Sequence, residues 1–99
     1  MDLELRIDGD TARIKLPPTM AIADAVGLKA SLQEVVDARP RTVVADLDAV
    51  MAVDTAALQV LTAFVAAMRR DGVSLRWDNL SVPMYMAACH LNLEEHLQL

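Results

Sequence analysis

Thr55 is the residue best placed to carry chemistry, because the sequence around it sets one hydroxyl at the mouth of a strand-to-helix turn. Val43-Val44-Ala45 reads as a short apolar strand, and Leu58, Leu61, Val65 and Met68 then follow at helical spacing. Asp54 or Thr55 is expected to cap that helix. Free backbone N–H groups and the positive end of the helix dipole stabilise negative charge at such a terminus, so a phosphoryl group on Thr55 would be tolerated there. The plainer role is an N-cap whose hydroxyl satisfies an orphan N–H, worth about 0.5–2 kcal/mol. The two roles are compatible, and the residues leave both open.

The other candidates carry less. Asp46, Asp48 and Asp54 form an acidic cluster that could bind Mg²⁺ or accept a phosphoryl group. Receiver-type chemistry also needs an acidic pair from an earlier strand and a matching lysine, and the first strands offer only hairpin charges. Loop aspartates ordinarily cap and turn, and that reading outweighs a metal site. Cys89 and His90 are adjacent, so they face apart on a helix, and His96 lies six residues beyond His90. Neither metal-ligand spacing nor an acyl-transfer triad follows. The sequence is read as non-enzymatic, with no catalytic residue, no metal and no cofactor. Trp77 and Tyr85 read as rim packing, with a role as partner anchor as the sharper alternative, and the methionines read as adaptable core filler.

The elements that must position Thr55 are legible from periodicity. Leu3, Leu5 and Ile7 alternate with Glu4, Arg6 and Asp8, Asp8-Gly9-Asp10 reads as a tight turn, and Ala12, Ile14 and Leu16 continue the alternation. Pro17-Pro18 ends this hairpin, and Thr19 is expected to cap a helix with Ile22, Ala25, Val26, Leu28, Leu32, Val35 and Val36 on its apolar face. Gly27 is its weak point, and Arg39-Pro40 closes it. Thr42-Val43-Val44-Ala45 is nearly continuous apolar β-former, as for a central strand covered on both sides. The Thr55 helix runs to Arg70 and stops at Asp71-Gly72. Val73–Trp77 is a strand, Ser81 caps a helix carrying Pro83 in its first turn, and the tail from Leu91 packs as a short strand or helical turn. The order β-β-α-β-α-β-α predicts a small α/β sandwich, a mixed sheet with helices on one side.

Composition bounds the partners. Ninety-nine residues fit one domain, 1–99, able to bury roughly 60–65% of the unfolded surface. Hydrophobic residues make up 55% of the chain and aromatics only 3%, so the core is aliphatic and no stacking platform for bases exists. A net charge of −5 without a basic stripe opposes nucleic acid. Cys89 has no partner for an internal disulfide, Met1-Asp2-Leu3-Glu4 lacks the features of a signal peptide, and no apolar run reaches the roughly 18 residues of a membrane span. A cytoplasmic protein without direct membrane insertion is expected.

Helical projection places Thr55, Ala56, Gln59, Ala63, Ala66, Ala67 and Arg70 opposite Leu58, Leu61, Val65 and Met68. An ordinary solvent face would be richer in Glu and Lys. This one is small and weakly polar, open to close approach by another protein, although alanine also serves helix propensity alone. Asp54, Thr55, Ala56, Gln59 and Ala63 are the candidate partner-binding residues.

The segment Asp46–Leu58 resembles the signature of the STAS domain, found in bacterial anti-sigma-factor antagonists, stressosome proteins and the tails of anion transporters. Asp46-Leu47 matches the strand end of that pattern, Val53 its buried apolar residue, and Asp54-Thr55-Ala56-Ala57-Leu58 its helix start. The resemblance implies a non-enzymatic signalling module in which Thr55 stands where a partner kinase phosphorylates regulated members. Its partner would be a serine/threonine kinase-like anti-sigma factor or a chemotaxis signalling protein. The alternative it implies is a structural subunit bracing the ATPase of a phospholipid-transport ABC complex. Ala57 stands where the pattern usually has glycine, and a methyl group there is expected to narrow the backbone approach open to a partner.

Overall fold

The structure, a computed structural model, describes residues 3–99. Strands β1 (Glu4–Asp8) and β2 (Thr11–Lys15) pair antiparallel from Glu4↔Lys15 to Asp8↔Thr11. The turn between them is possible because Gly9 takes φ +59°, a left-handed conformation that costs glycine little. Two further strands, β4 (Thr42–Asp46) and β6 (Ser74–Asp78), extend the sheet in the order β1-β2-β4-β6, with β2, β4 and β6 parallel. Parallel neighbours need crossovers, and these are α1 (Ala25–Asp37) and α2 (Thr55–Arg70).

All helices lie on one side of this mixed sheet, in the predicted order. The helix-facing row includes Ala12, Ile14, Val43 and Ala45, packed under Leu28, Leu32 and Val35 of α1 and Leu58, Leu61, Phe64, Val65 and Met68 of α2. Each such leucine or valine contributes roughly 1.5–3 kcal/mol by leaving water. At the C-terminal end, α3 (Val82–His90) and the short α4 (Glu94–Leu97) close the core with Met84, Ala88 and Leu97. Ser81 caps α3 as expected, its hydroxyl accepting the Met84 N–H at 3.2 Å. The Trp77 indole N–H donates to the Leu97 carbonyl at 2.7 Å, which ties the tail to β6.

Four expectations need correction. Thr19 caps no helix: Thr19–Met20 is a two-residue strand, β3, paired parallel to β5 (Ala52–Val53) in a separate ribbon. A 3₁₀ turn at Ile22–Asp24 follows, so α1 begins only at Ala25. In consequence Ile22 and Val26 leave the apolar face assigned to them and stand 71% and 81% exposed. Val44 is not covered by a second layer. It faces the helix-free side of the sheet, flanked in register by Arg13 and Arg76, whose aliphatic stems are the groups placed to shield it. Finally, Met51 and Met86 are exposed and not core filler, whereas Met20, Met68 and Met84 are buried.

Candidate functional site

The carboxyl ends of β2, β4 and β6 point to one end of the molecule, and the loops that leave them build the site. Asp46, the last residue of β4, accepts the Asp48 N–H at 2.9 Å and the Asn79 side-chain amide at 3.2 Å. The Asp48 N–H above all, then Asn79, and more weakly the Lys15 charge, hold its carboxyl below the ordinary 3.8, against a small opposing effect of burial. Asp46 thus fastens the loop after β4 to the loop after β6. The chain turns through Leu47–Val50, both buried, and Met51 and Ala52 donate their N–H groups to the Pro18 carbonyl at 2.8 and 3.1 Å.

Asp54 occupies the N-cap position of α2 with extended backbone, and its carbonyl receives the Leu58 N–H at 3.0 Å. Its side chain does not cap. The carboxylate instead accepts the Ile22 N–H at 2.9 Å, across 32 residues of sequence. The expected cap is therefore a tie between the head of α2 and the 3₁₀ turn. Thr55 is the first helical residue and not the cap, and it is exposed. Among the described residues no hydrogen bond engages its hydroxyl. A hydroxyl free of local duties at a helix N-terminus is open to a partner or to modification.

The outward side of α2 is as projected: Thr55, Gln59, Ala63 and Ala66 are exposed, with Ala56 and Ala67 half-buried. Ala56, Gln59 and Ala63 line one wall of a shallow groove of about 460 Å³, with Lys29 and Gln33 of α1 on the other. Ala57 is completely buried. Its methyl group points into the core, so the expected narrowing of a partner's approach does not arise.

The remaining candidates scatter. Asp46 and Asp54 have the separate partners just described, and Asp48 is exposed. Cys89 is half-buried while its neighbour His90 is exposed. Contact with Cys89 pushes the Tyr85 hydroxyl up from its ordinary range. The residues missed from sequence are Ile22, Val26 and Met51, which surround the head of α2 with exposed apolar surface. Their period matched a buried face, and only the detour through β3 turns them outward.

A sheet of this order, with the β4–α2 turn presenting a free hydroxyl, defines a STAS-type α/β domain. The chain belongs to the STAS family: the family described as "Mlab, STAS domain" matches residues 3–98. No curated protein sequence matches it significantly. Among solved structures it is similar to an anti-sigma factor antagonist from Mycobacterium paratuberculosis, with TM-score 0.79 and 15% identity over 95% of this chain and 80% of that one. It is also similar to the phosphorylated form of the Bacillus cell fate determinant SpoIIAA, with TM-score 0.74 and 11% identity over 95% of this chain and 86% of that one. A third likeness, to Mglu, has TM-score 0.68 and 20% identity over 80% of this chain, which spans only 20% of Mglu. At these identities the likeness is one of fold.

Proposed function

We propose that this chain is a bacterial, cytoplasmic docking module that binds a regulatory protein through the head and outward face of α2, and that phosphorylation of Thr55 releases it. The observation that carries the reading is the exposed, unengaged Thr55 hydroxyl on the first residue of a sixteen-residue helix whose outward face is small and weakly polar. The partner is a serine/threonine kinase-like anti-sigma factor or a chemotaxis signalling protein. As a kinase it would transfer the γ-phosphoryl of its own ATP to the Thr55 oxygen, leaving ADP. The direction of the switch follows from bulk and desolvation. A phosphate on Thr55 would stand as a large, strongly hydrated anion at the head of a face built from small side chains such as Ala56 and Ala63. It opposes docking because close approach is lost and its charge would have to be desolvated in the interface.

The name of the matched family favours a second reading. As the STAS subunit of a phospholipid-transport ABC complex, the chain would brace an ATPase through the same face permanently, without phosphorylation. Co-purification separates the two, by whether a kinase-like or chemotaxis protein or an ABC ATPase is recovered. Thr55→Glu is expected to weaken binding to that protein about tenfold or more while the circular-dichroism spectrum stays the same. Incubation with a recovered kinase and ATP should add one phosphoryl mass to the wild type and none to Thr55→Ala. Equal affinity of wild type and Thr55→Glu, with no mass gain, would overturn the switch.

A further inference from the structure

The exposed apolar residues are not spread evenly. Of the nine large ones among the described residues, Ile22, Val26, Met51, Leu80, Val82 and Met86 come from the segments that leave the carboxyl ends of β2, β4 and β6. The β3–β5 ribbon joins them: β3 leads to Ile22, Met51 precedes β5, and β5 packs against α3, whose first residue is Val82. Apolar patches rimmed by polar groups mark interaction sites in otherwise well-folded proteins. The rim here is acidic on balance. Residues 16–28, 46–57 and 78–86 together contain five aspartates and no Lys or Arg. Two of the five are matched from the strands beneath, Asp78 by Arg76 at 2.8 Å and Asp46 by the charge of Lys15, and Asp24, Asp48 and Asp54 form no ion pair among the described residues.

We infer that this whole end, from Ile22 and Met51 across to Val82 and Met86 on α3, is one docking surface, and that it fits a protein segment with an apolar face flanked by Lys and Arg. The inference rests on the docking role proposed above and extends it to α3 and to the charge of the partner. Charge complementarity selects the occupant. A second copy related by a two-fold axis would bring aspartates against aspartates. A membrane surface is anionic and would be repelled. A basic protein partner gains on both counts, with Val82 and Met51, 73% and 71% exposed, as the side chains free to pack against its apolar face.

The test uses a probe of defined chemistry: an amphipathic helical peptide with a leucine stripe and lysine flanks, titrated into the full chain while backbone amide resonances are followed. Shifts should concentrate at residues 20–26, 50–55 and 80–86, weaken about tenfold as salt rises from about 50 to about 500 mM, and be absent for the glutamate analogue of the peptide. Val82→Asp is the deciding variant, because it adds negative charge at an exposed site. Simple electrostatic adhesion would then tighten, whereas docking of an apolar side chain should weaken about tenfold or more. Tighter or unchanged binding overturns the inference, as do shifts confined to the α1–α2 groove or no shifts at millimolar peptide. Dimerisation abolished by Val82→Asp, or binding to phosphatidylglycerol vesicles, overturns it in favour of the other occupants. If Val82→Asp binds the co-purified partner like wild type while Thr55→Glu does not, this inference fails and the α2 reading stands.

Discussion

The helix-free face of the sheet and the carboxyl end of its strands are both exposed, yet they solve exposure in opposite ways. On the sheet face acidic and basic side chains stand within reach of one another: Arg6 and Arg13 approach Asp8 at 3.4 and 3.9 Å, and Arg76 meets Asp78 at 2.8 Å. Each exposed pair is worth little in stability, but the face mixes both signs closely, and the buried Val44 is the only large apolar residue in the central row. At the carboxyl end apolar side chains stand in water beside Asp24, Asp48 and Asp54, which form no ion pair among the described residues. The first surface is complete in solvent. The second leaves apolar side chains in solvent, and that contrast is the basis for placing the proposed docking function there.

The sharpest break between interior and exterior runs through α2 itself. Leu61 is fully buried, so Leu61→Ala should destabilise the fold by about 2–5 kcal/mol, lowering the melting temperature by roughly 10 °C or more at this chain length. A loss below about 1 kcal/mol in denaturant unfolding would mean that the faces are reversed. A smaller effect is expected at the tail, where Trp77→Phe removes the donor to the Leu97 carbonyl. That change should cost about 1 kcal/mol and speed amide exchange in residues 94–99 selectively. Uniform exchange across the chain would show that the tail is held by packing alone.

The smallest effect concerns Asp46, which joins the two regions compared. Its folded carboxyl titrates below 3.8, so its stabilising contribution is present above that value and is lost as pH falls through the lower, folded value. The stability advantage of wild type over Asp46→Asn should therefore be constant near neutrality and shrink in strong acid. An advantage that grows as pH falls would contradict the Asp48 and Asn79 contacts as its cause. The carboxyl resonance should report the midpoint directly.

Much of this was legible because the physics is periodic. The alternation Leu5-Arg6-Ile7 and Ala12-Arg13-Ile14 encodes the hairpin, and Leu58, Leu61, Val65 and Met68 encode the buried side of α2. What was illegible is short or long-range. β3 and β5 have two residues each, too few for any period, yet they turn Ile22 and Val26 into solvent. The Asp54 tie to the Ile22 N–H spans 32 residues, so local capping rules assigned that carboxylate to the wrong donor. Val44 followed a pattern meant for two covering layers, when arginine stems supply the second. Thr55 was found through motif and spacing, but its apolar surroundings depend on the ribbon and could not be.

The measurement that bears most directly on the account is made on Ala63→Arg, in the middle of the outward face of α2. Thermal melting and titration with the co-purified partner should be read on the same preparation. Ala63 is exposed, so melting should change by no more than about 0.5 kcal/mol, while binding should fall by tenfold or more as an unpaired charge is forced into the interface. A large loss of thermal stability with binding intact would contradict the assignment of this face as the docking surface.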